Sequence, residues 1–267
     1  MSDDKKIALI TGASSGIGWE TALLLAARGW KLAVAARRQK RLEALAERLR
    51  KDHGTEILVL AHDVSRPEGA REMVVKAAAH FGRLDILVNN AGILRMAAFG
   101  GMPVEEMREI FETNFWGVVQ TLRAALPIFE KQGGGHVVNV GSAVSRRALP
   151  FMAAYAASKF ALGALTESLR VELAEKGVTL TSVFPGGVET EMPRNLDRSR
   201  LPENYPDHGS SRITAVRAAQ AVVKAVEKRP VEIYVPWWLR PLAWASVMFP
   251  GLTDRLIRRS YGAMEWK

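Results

Sequence analysis

Tyr155 and Lys159 stand four residues apart in Tyr155-Ala156-Ala157-Ser158-Lys159, within an Ala-rich stretch of helical character. That spacing puts both side chains on one helix face. A free phenol titrates near pH ~10 and is a poor base at neutral pH. A neighbouring ammonium favours the phenolate and lowers that pKa, which makes the pair a proton donor and acceptor. Alone, such a pair is common helix-surface decoration. Ser142 precedes it and follows the apolar run His136–Val140. A hydroxyl there either binds a reacting carbonyl oxygen or serves ordinary turn chemistry in Gly141-Ser142.

A second group of residues suits a phosphate. Thr11-Gly12-Ala13-Ser14-Ser15-Gly16-Ile17-Gly18 follows an apolar run and opens a helical pattern. Gly12 can make the tight turn, while Gly16 and Gly18 let backbone and helix approach a pyrophosphate. Free N–H groups and the dipole at the helix start favour the anion. Gly12, Ser14, Ser15, Gly16, Ile17 and Gly18 are therefore candidate cofactor contacts. The second apolar run ends in Val34-Ala35-Ala36-Arg37-Arg38, with no acid to hold a ribose 2′-hydroxyl. Guanidinium groups match a 2′-phosphate, so Arg37 and Arg38 point to NADP(H) rather than NAD(H). The bland reading makes them solvated residues at a helix start, where the dipole disfavours them.

The elements that must position these groups follow from the hydropathy pattern. Ile7–Ile10, Lys31–Ala35, Ile57–Leu60, Leu84–Val88, His136–Val140, Thr179–Phe184 and Val231–Val235 read as strands, most of them near-continuously apolar. Such runs fit strands buried on both faces of a parallel sheet. Amphipathic segments such as Arg38–Lys51 and Pro67–Phe81 alternate with them. The alternation predicts an α/β fold: a single-domain Rossmann-type, doubly wound parallel sheet of about seven strands, with helices on both faces. Ser142 then falls at the carboxyl edge of the sheet, where active-site groups gather. The chain of 267 residues suits one such domain.

Composition narrows the functional classes. There is no cysteine, which excludes disulfides, zinc–thiolate sites and a cysteine nucleophile. No metal site is expected. The formal charge of +9 is scattered, without the aromatic–basic interleaving of nucleic-acid readers, so no nucleic-acid partner is expected. No secretory leader precedes the first apolar run, and a cytoplasmic protein, with peripheral membrane contact as a further option, is the expectation.

Taken in order, Thr11–Gly18, Asn89-Asn90-Ala91-Gly92, Asn114, Ser142, Tyr155-Xaa-Xaa-Xaa-Lys159 and Pro185-Gly186 resemble the motif set of the short-chain dehydrogenase/reductase family. The resemblance covers about residues 5 to 236 and implies NAD(P)-dependent hydride transfer to or from a carbonyl or alcohol. It implies Tyr155 as the acid/base. Lys159 would hold the nicotinamide ribose and lower the Tyr155 pKa, and Ser142 would stabilise the substrate oxygen. Asn114 would sit at a break in a helix and hold a water relaying protons to Lys159. Asp63 and Val64 would contact adenine. Asn90, Ala91 and Gly92 would line the cofactor, and Pro185, Gly186, Val188 and Thr190 would pack near the nicotinamide. Ala36 would replace the NAD-selecting acid, with Arg37 at the 2′-phosphate. Two departures stand out: Trp19, where polar residues are common, and Ser15, where some NADP-dependent members carry a base.

Residues 1–236 are thus expected to form the catalytic domain, with a polar lid at about 186–212 that reads as structureless. Met96, Phe99, Met152 and Met192 are candidate walls for an apolar carbonyl or alcohol substrate. Residues 237–267 form an apolar, Trp-rich tail, in which Arg255, Arg258 and Arg259 follow the apolar run that ends at Pro250. The uncharged run within the 237–260 stretch is too short to span a bilayer, and three readings stay open: a membrane-interface segment, a subunit contact, or a cap over the pocket. A homodimer or homotetramer is expected. The competing functions are a non-catalytic NADP(H)-binding regulator and a membrane-surface protein on the same fold. The first has no need of Ser142, Tyr155 and Lys159 together, and the second leaves the glycine loop unexplained.

Overall fold

Apolar runs with polar flanks become parallel strands only if helices cover both sheet faces, and the chain supplies those helices between successive strands. The computed structural model describes residues 6–194, 196–203, 205 and 212–261. The first half contains β1 (Ile7–Thr11), α1 (Gly16–Ala26), β2 (Lys31–Ala36), α2 (Gln39–His53), β3 (Ile57–Ala61), α3 (Pro67–Phe81) and β4 (Ile86–Asn89). After it come α4 (Val104–Phe111), α5 (Gly117–Lys131), β5 (Gly135–Val140), α6 (Ala153–Glu172) and β6 (Val178–Pro185). The remainder holds β7 (Val188–Glu189), α7 (Glu191–Arg194), β8 (Ile213–Thr214), α8 (Ala215–Lys228), β9 (Glu232–Val235), α9 (Leu239–Met248) and α10 (Pro250–Tyr261).

Seven strands form one parallel sheet in the order β3-β2-β1-β4-β5-β6-β9. Strand period separates its two cores. Ala8, Ile10, Leu32 and Val34 pack with Leu25 of α1, Leu45 of α2 and Val222 of α8. Ile7, Leu9, Ala33 and Ala35 pack on the other face with Met73 of α3, Phe129 of α5 and Leu162 of α6. Each fully buried leucine of this kind stabilises the fold by roughly 2 kcal/mol. Trp19 packs against the first of these cores.

The sheet order matters for function. From β1 the chain winds outward to β3, then returns to start β4 on the other side of β1. The carboxyl ends of β1 and β4 therefore bound a crevice at a topological switch point, where such sheets bind ligands. The fourth strand begins at Ile86, two residues later than the apolar pattern predicts; Leu84 is fully buried yet lies before the ladder.

The lid is not the structureless loop expected of it. Val188 and Glu189 pair in parallel with Ile213 and Thr214, and α7 follows directly. Asp197 then accepts from the N–H and hydroxyl of Ser199, at 3.0 and 2.6 Å, and starts a 3₁₀ turn over Arg198–Arg200. Short polar side chains that bond their own backbone are what order this segment. Residues 195, 204 and 206–211 of the lid, and 262–267 of the tail, lie outside the described residues.

Candidate active site

The loops after β1 and β4 are held to each other before any ligand is considered. Thr11 Oγ1 accepts from the N–H groups of Asn90 (3.0 Å) and Ala91 (3.1 Å). Asn90 Nδ2 donates back to the carbonyls of Thr11 (2.9 Å) and Gly12 (3.3 Å). Gly12 has φ +67°, and a Cβ there would lie 2.8 Å from Ala91 Cα. Gly18 matters for the packing of α1 on the same loop. A Cβ on Gly18 would stand 2.5 Å from both Asn90 Nδ2 and the Gly12 carbonyl, so its bareness lets the helix pack on the loop.

The start of α1 is prepared for an anion. Ser15 is extended and makes no side-chain cap, and the first turn carries no acid. Its N–H groups and dipole are left for a ligand. Arg38 braces the loop instead: Nε and Nη2 donate to Ser14 Oγ at 3.1 and 3.0 Å, and Nη2 donates to Ser15 Oγ at 2.7 Å. Arg37 is largely exposed and approaches Asp63 Oδ2 at 4.0 Å. Asp63 also accepts from Ser65 N–H and Oγ, at 3.0 and 2.8 Å, which shapes the turn into α3.

Between α4 and α5 the helix widens into a π-helical turn over Glu112–Trp116. This is the helix break expected at Asn114, and it aims that side chain inward, fully buried. Asn114 Oδ1 accepts from Ile93 N–H at 2.8 Å, and Nδ2 donates to the Ile93 carbonyl (3.0 Å) and to Ser158 Oγ (3.1 Å). Ser158 in turn donates to the Tyr155 carbonyl at 2.7 Å. Lys159, buried one turn along α6, donates to the Val140 carbonyl at 3.0 Å. Gly92 borders both groups: a Cβ on it would lie 3.2 Å from Asn114 Oδ1 and 3.6 Å from Lys159 Nζ.

Ser142 serves the turn chemistry expected of Gly141-Ser142 and also faces the catalytic helix. Its Oγ accepts from Val144 N–H at 3.3 Å, capping a 3₁₀ turn over Ala143–Ser145, and its hydroxyl meets the Tyr155 phenol. The electrostatics depart from the sequence expectation. Burial pushes the Tyr155 phenol above its ordinary value, and only the Ser142 hydrogen bond works against this. Burial also lowers the Lys159 amine to about 8. Loss of solvation around the ring outweighs any help from the ammonium, so the phenol keeps its proton at neutral pH.

One cleft of about 1780 Å³ gathers these groups. Its wall includes Gly12, Ser14, Ser15, Gly16, Ile17, Arg37, Arg38, Asp63, Val64, Asn90, Ala91, Gly92, Ser142, Tyr155, Lys159, Pro185, Gly186, Val188 and Thr190. Gly18 and Asn114 stand behind that wall. The same wall carries apolar Met96, Leu149, Met152, Met192, Leu201 and Tyr205, with charged groups such as Arg147 and Arg198 also on it. The region of α9 and α10 adds Trp238, Leu242, Phe249, Leu252 and Tyr261, the last with its ring 5.5 Å from that of Tyr205. Phe99 does not belong: it lies on a 3₁₀ turn, exposed to solvent and off the cleft.

Among known proteins, the short chain dehydrogenase family matches this sequence over residues 6–201. The chain belongs to that family. An 11-beta-hydroxysteroid dehydrogenase 1A from Arabidopsis thaliana is 43% identical over 258 residues, spanning 93% of this chain and 73% of the relative. A short chain dehydrogenase/reductase from Burkholderia phymatum, solved with NAD, superposes with a TM-score of 0.82 at 26% identity, over 95% of this chain and 96% of that one. An alcohol dehydrogenase from Thermococcus sibiricus, solved with 5-hydroxy-NADP, gives 0.75 at 31% identity, over 86% and 96%. This short-chain dehydrogenase is accordingly an NAD(P)-dependent oxidoreductase acting on CH–OH donors.

Several residues that hold the dehydrogenase site together escape a reading of its motifs. Asn89 Nδ2 donates to Asn139 Oδ1 at 2.9 Å, and Asn139 Nδ2 donates to Thr166 Oγ1 at 2.9 Å. Thr121 Oγ1 donates to Asn89 Oδ1 at 2.8 Å, so β4, β5, α5 and α6 share one buried polar chain. Its only trace in sequence is asparagine inside two apolar runs, where an unpaired amide would be costly. Arg147 pairs with Asp254, tying the loop after β5 to α10. Glu191 reaches Arg38 across the cleft.

Proposed function

We propose that the protein transfers hydride between NADP(H) and a hydrophobic carbonyl or alcohol, with Tyr155 as the proton donor in reduction and acceptor in oxidation. The observation that carries this reading is the gathering of Ser142, Tyr155 and Lys159 on the wall of the cleft that also holds the uncapped N-terminus of α1 and a set of apolar residues. The site fits a dinucleotide: uncapped N–H groups suit the pyrophosphate, and arginines follow β2 where an NAD-selecting acid would stand. A bound nicotinamide supplies or takes the hydride. Ser142 Oγ and Tyr155 Oη hold the substrate oxygen between them. Because the phenol retains its proton, Tyr155 is set to protonate that oxygen as it gains charge. The Lys159 ammonium holds the ribose hydroxyls and offsets negative charge at Tyr155, and Asn114 and Gly92 leave room beside it for a proton-relaying water. Asp63 and Val64 contact adenine, and Pro185, Gly186, Val188 and Thr190 close on the nicotinamide.

The apolar part of the cleft wall supports a lipophilic substrate, as does similarity to relatives named hydroxysteroid dehydrogenases. A panel of steroid and small ketones and alcohols, run with NADPH and NADH, tests the assignment. Turnover with no panel member, or equal turnover by Tyr155→Phe, overturns it. The same reading carries a cytoplasmic homodimer or homotetramer, which sedimentation velocity reads directly.

A second reading concerns the outer face of α9–α10. Trp237, Trp244, Val247 and Met248 are exposed there, beside exposed Arg240, Arg255, Arg258 and Arg259. The single acid between residues 236 and 261, Asp254, is paired with Arg147. Among the described residues no helix is long and apolar enough to cross a membrane. Tryptophan at headgroup depth and arginine on anionic lipid suit a peripheral contact. Flotation with anionic, but not neutral, vesicles is the expected result. Recovery from neither removes the membrane role and leaves these helices as pocket wall or subunit contact.

A further inference from the structure

Glu191 places a carboxylate among the arginines that follow β2. Its Oε2 accepts from Arg38 Nη1 at 2.6 Å, and its Oε1 lies 3.5 Å from Arg41 Nη2. Nε and Nη2 of Arg38 are taken by Ser14 and Ser15. Two guanidinium groups and a pair of hydroxyls, a set suited to a phosphate monoester, thus already surround an anion. That anion belongs to the chain itself and comes from α7, next to Thr190, whose Cγ2 stands 2.9 Å from where a Gly16 Cβ would be. The lid therefore crosses the glycine loop and ends on the arginines.

We propose that Glu191 competes with the 2′-phosphate of NADP(H) for Arg38 and Arg41, so that binding of this cofactor exchanges the lid carboxylate for phosphate. The proposal rests on the NADP(H) reading of the same arginines. The exchange is physically favourable in direction. A phosphate monoester brings up to two charges and three acceptor oxygens, against the one charge and two oxygens of a carboxylate. Both partners are half-exposed, so an incoming phosphate can reach the pair. NAD(H) brings no such group and leaves the ion pair in place. Glu191 thus sets cofactor choice in two ways: it lowers affinity for the phosphorylated cofactor, and it links arrival of the phosphate to release of α7. The chain lacks an acid at Ala36, and a carboxylate supplied from the lid could instead serve the ribose hydroxyls of NAD(H). That alternative predicts the opposite sign.

Titration calorimetry on the full chain separates them, with 2′,5′-ADP, 5′-ADP, NADPH and NADH as probes. Glu191→Gln and Glu191→Ala should tighten 2′,5′-ADP and NADPH by about two- to five-fold, the scale of an exposed ion pair. Affinity for 5′-ADP and NADH should stay the same, and the gain should shrink as salt is raised. An unchanged ratio of 2′,5′-ADP to 5′-ADP affinity in both variants overturns the competition, as does weakened NADH binding. Arg38→Ala is the control for the underlying reading. If it lowers 2′,5′-ADP affinity while the Glu191 variants do nothing, the arginine assignment stands and the competition falls. If Arg38→Ala spares 2′,5′-ADP, the arginine assignment falls and takes the competition with it.

Discussion

Asn114 grips Ile93 by both of its backbone groups, accepting from its N–H at 2.8 Å and donating to its carbonyl at 3.0 Å. An amide side chain here imitates a strand neighbour for a segment that has left the sheet. Asn114→Ala leaves both groups of a half-buried residue without a partner and removes the bond to Ser158. The expected loss is about 2–4 kcal/mol in urea unfolding, with faster hydrogen exchange at the Ile93 amide. Asn114→Asp keeps the acceptor and should protect the amide better than alanine does. Equal exchange in all three proteins would show that the π-helical turn, not the side chain, fixes the segment.

Tyr155→Phe removes one oxygen from a ring whose position depends on packing. The variant should fold normally and bind NADPH within about three-fold of wild type, while kcat falls by about 10²- to 10⁴-fold, the range of acid–base assistance. Fluorescence titration and steady-state turnover measure the two sides. A parallel collapse of cofactor affinity would mean that the phenol positions the dinucleotide rather than moving a proton.

The sheet was legible because its strands are buried on both faces, which leaves runs such as Ile7–Ile10 almost free of polar residues. The catalytic helix was legible from one turn's spacing between Tyr155 and Lys159. The π-helical turn was not, since Glu112–Trp116 contains no glycine or proline to mark it; only family resemblance placed a break there. Phe99 was misplaced because apolar character does not say which way a side chain points. The acidity of Tyr155 was misjudged for a related reason. Spacing reveals a nearby ammonium, but the opposing effect of burial depends on what packs around the ring. Glu191 lies 153 residues from Arg38 along the chain, beyond the reach of any local pattern.

His136 gives the fold a dependence on acid. It is fully buried at the start of β5, with Nε2 3.1 Å from the Ala225 carbonyl and Nδ1 2.8 Å from Thr179 Oγ1. Nδ1 also lies 3.0 Å from the Thr179 carbonyl, so a neutral ring, with one N–H, donates to only one of the two carbonyls that face it. Burial, aided by Arg229, lowers its pKa from 6.5 to about 4. Above pH 6.5 folded and unfolded chains both hold it neutral. As pH falls from 6.5 to 4, the unfolded chain takes the proton first, so stability drops by up to about 3 kcal/mol. His136→Gln should be weaker at pH 7 but lose less between pH 7 and 4. Parallel stability curves for the two proteins would remove His136 from the acid response.

Lys159 carries a dependence of the same sign at higher pH, and it exposes a cost of the active site. Unfolded, the amine titrates at its ordinary 10.5; folded, burial brings it to about 8. Below pH 8 both states are charged and the folded state bears the full penalty of a buried ammonium. Between pH 8 and 10.5 the folded protein sheds the proton first, the unfolded chain binds more protons, and stability rises with pH. Lys159→Met removes the penalty and also the bond to Val140. At pH 7 the first effect is about 3 kcal/mol and the second about 1, so the inactive variant should be more stable by about 2 kcal/mol. That advantage should narrow from pH 8, vanish below pH 10.5 and turn there into a deficit of about 1 kcal/mol, the lost bond to Val140. Groups common to both proteins cancel in the difference, so urea midpoints at pH 7, 9 and 10 isolate this one amine. A methionine variant less stable than wild type at pH 7 would mean that the Val140 bond repays the burial, and that the lysine is kept for the fold as well as for the chemistry.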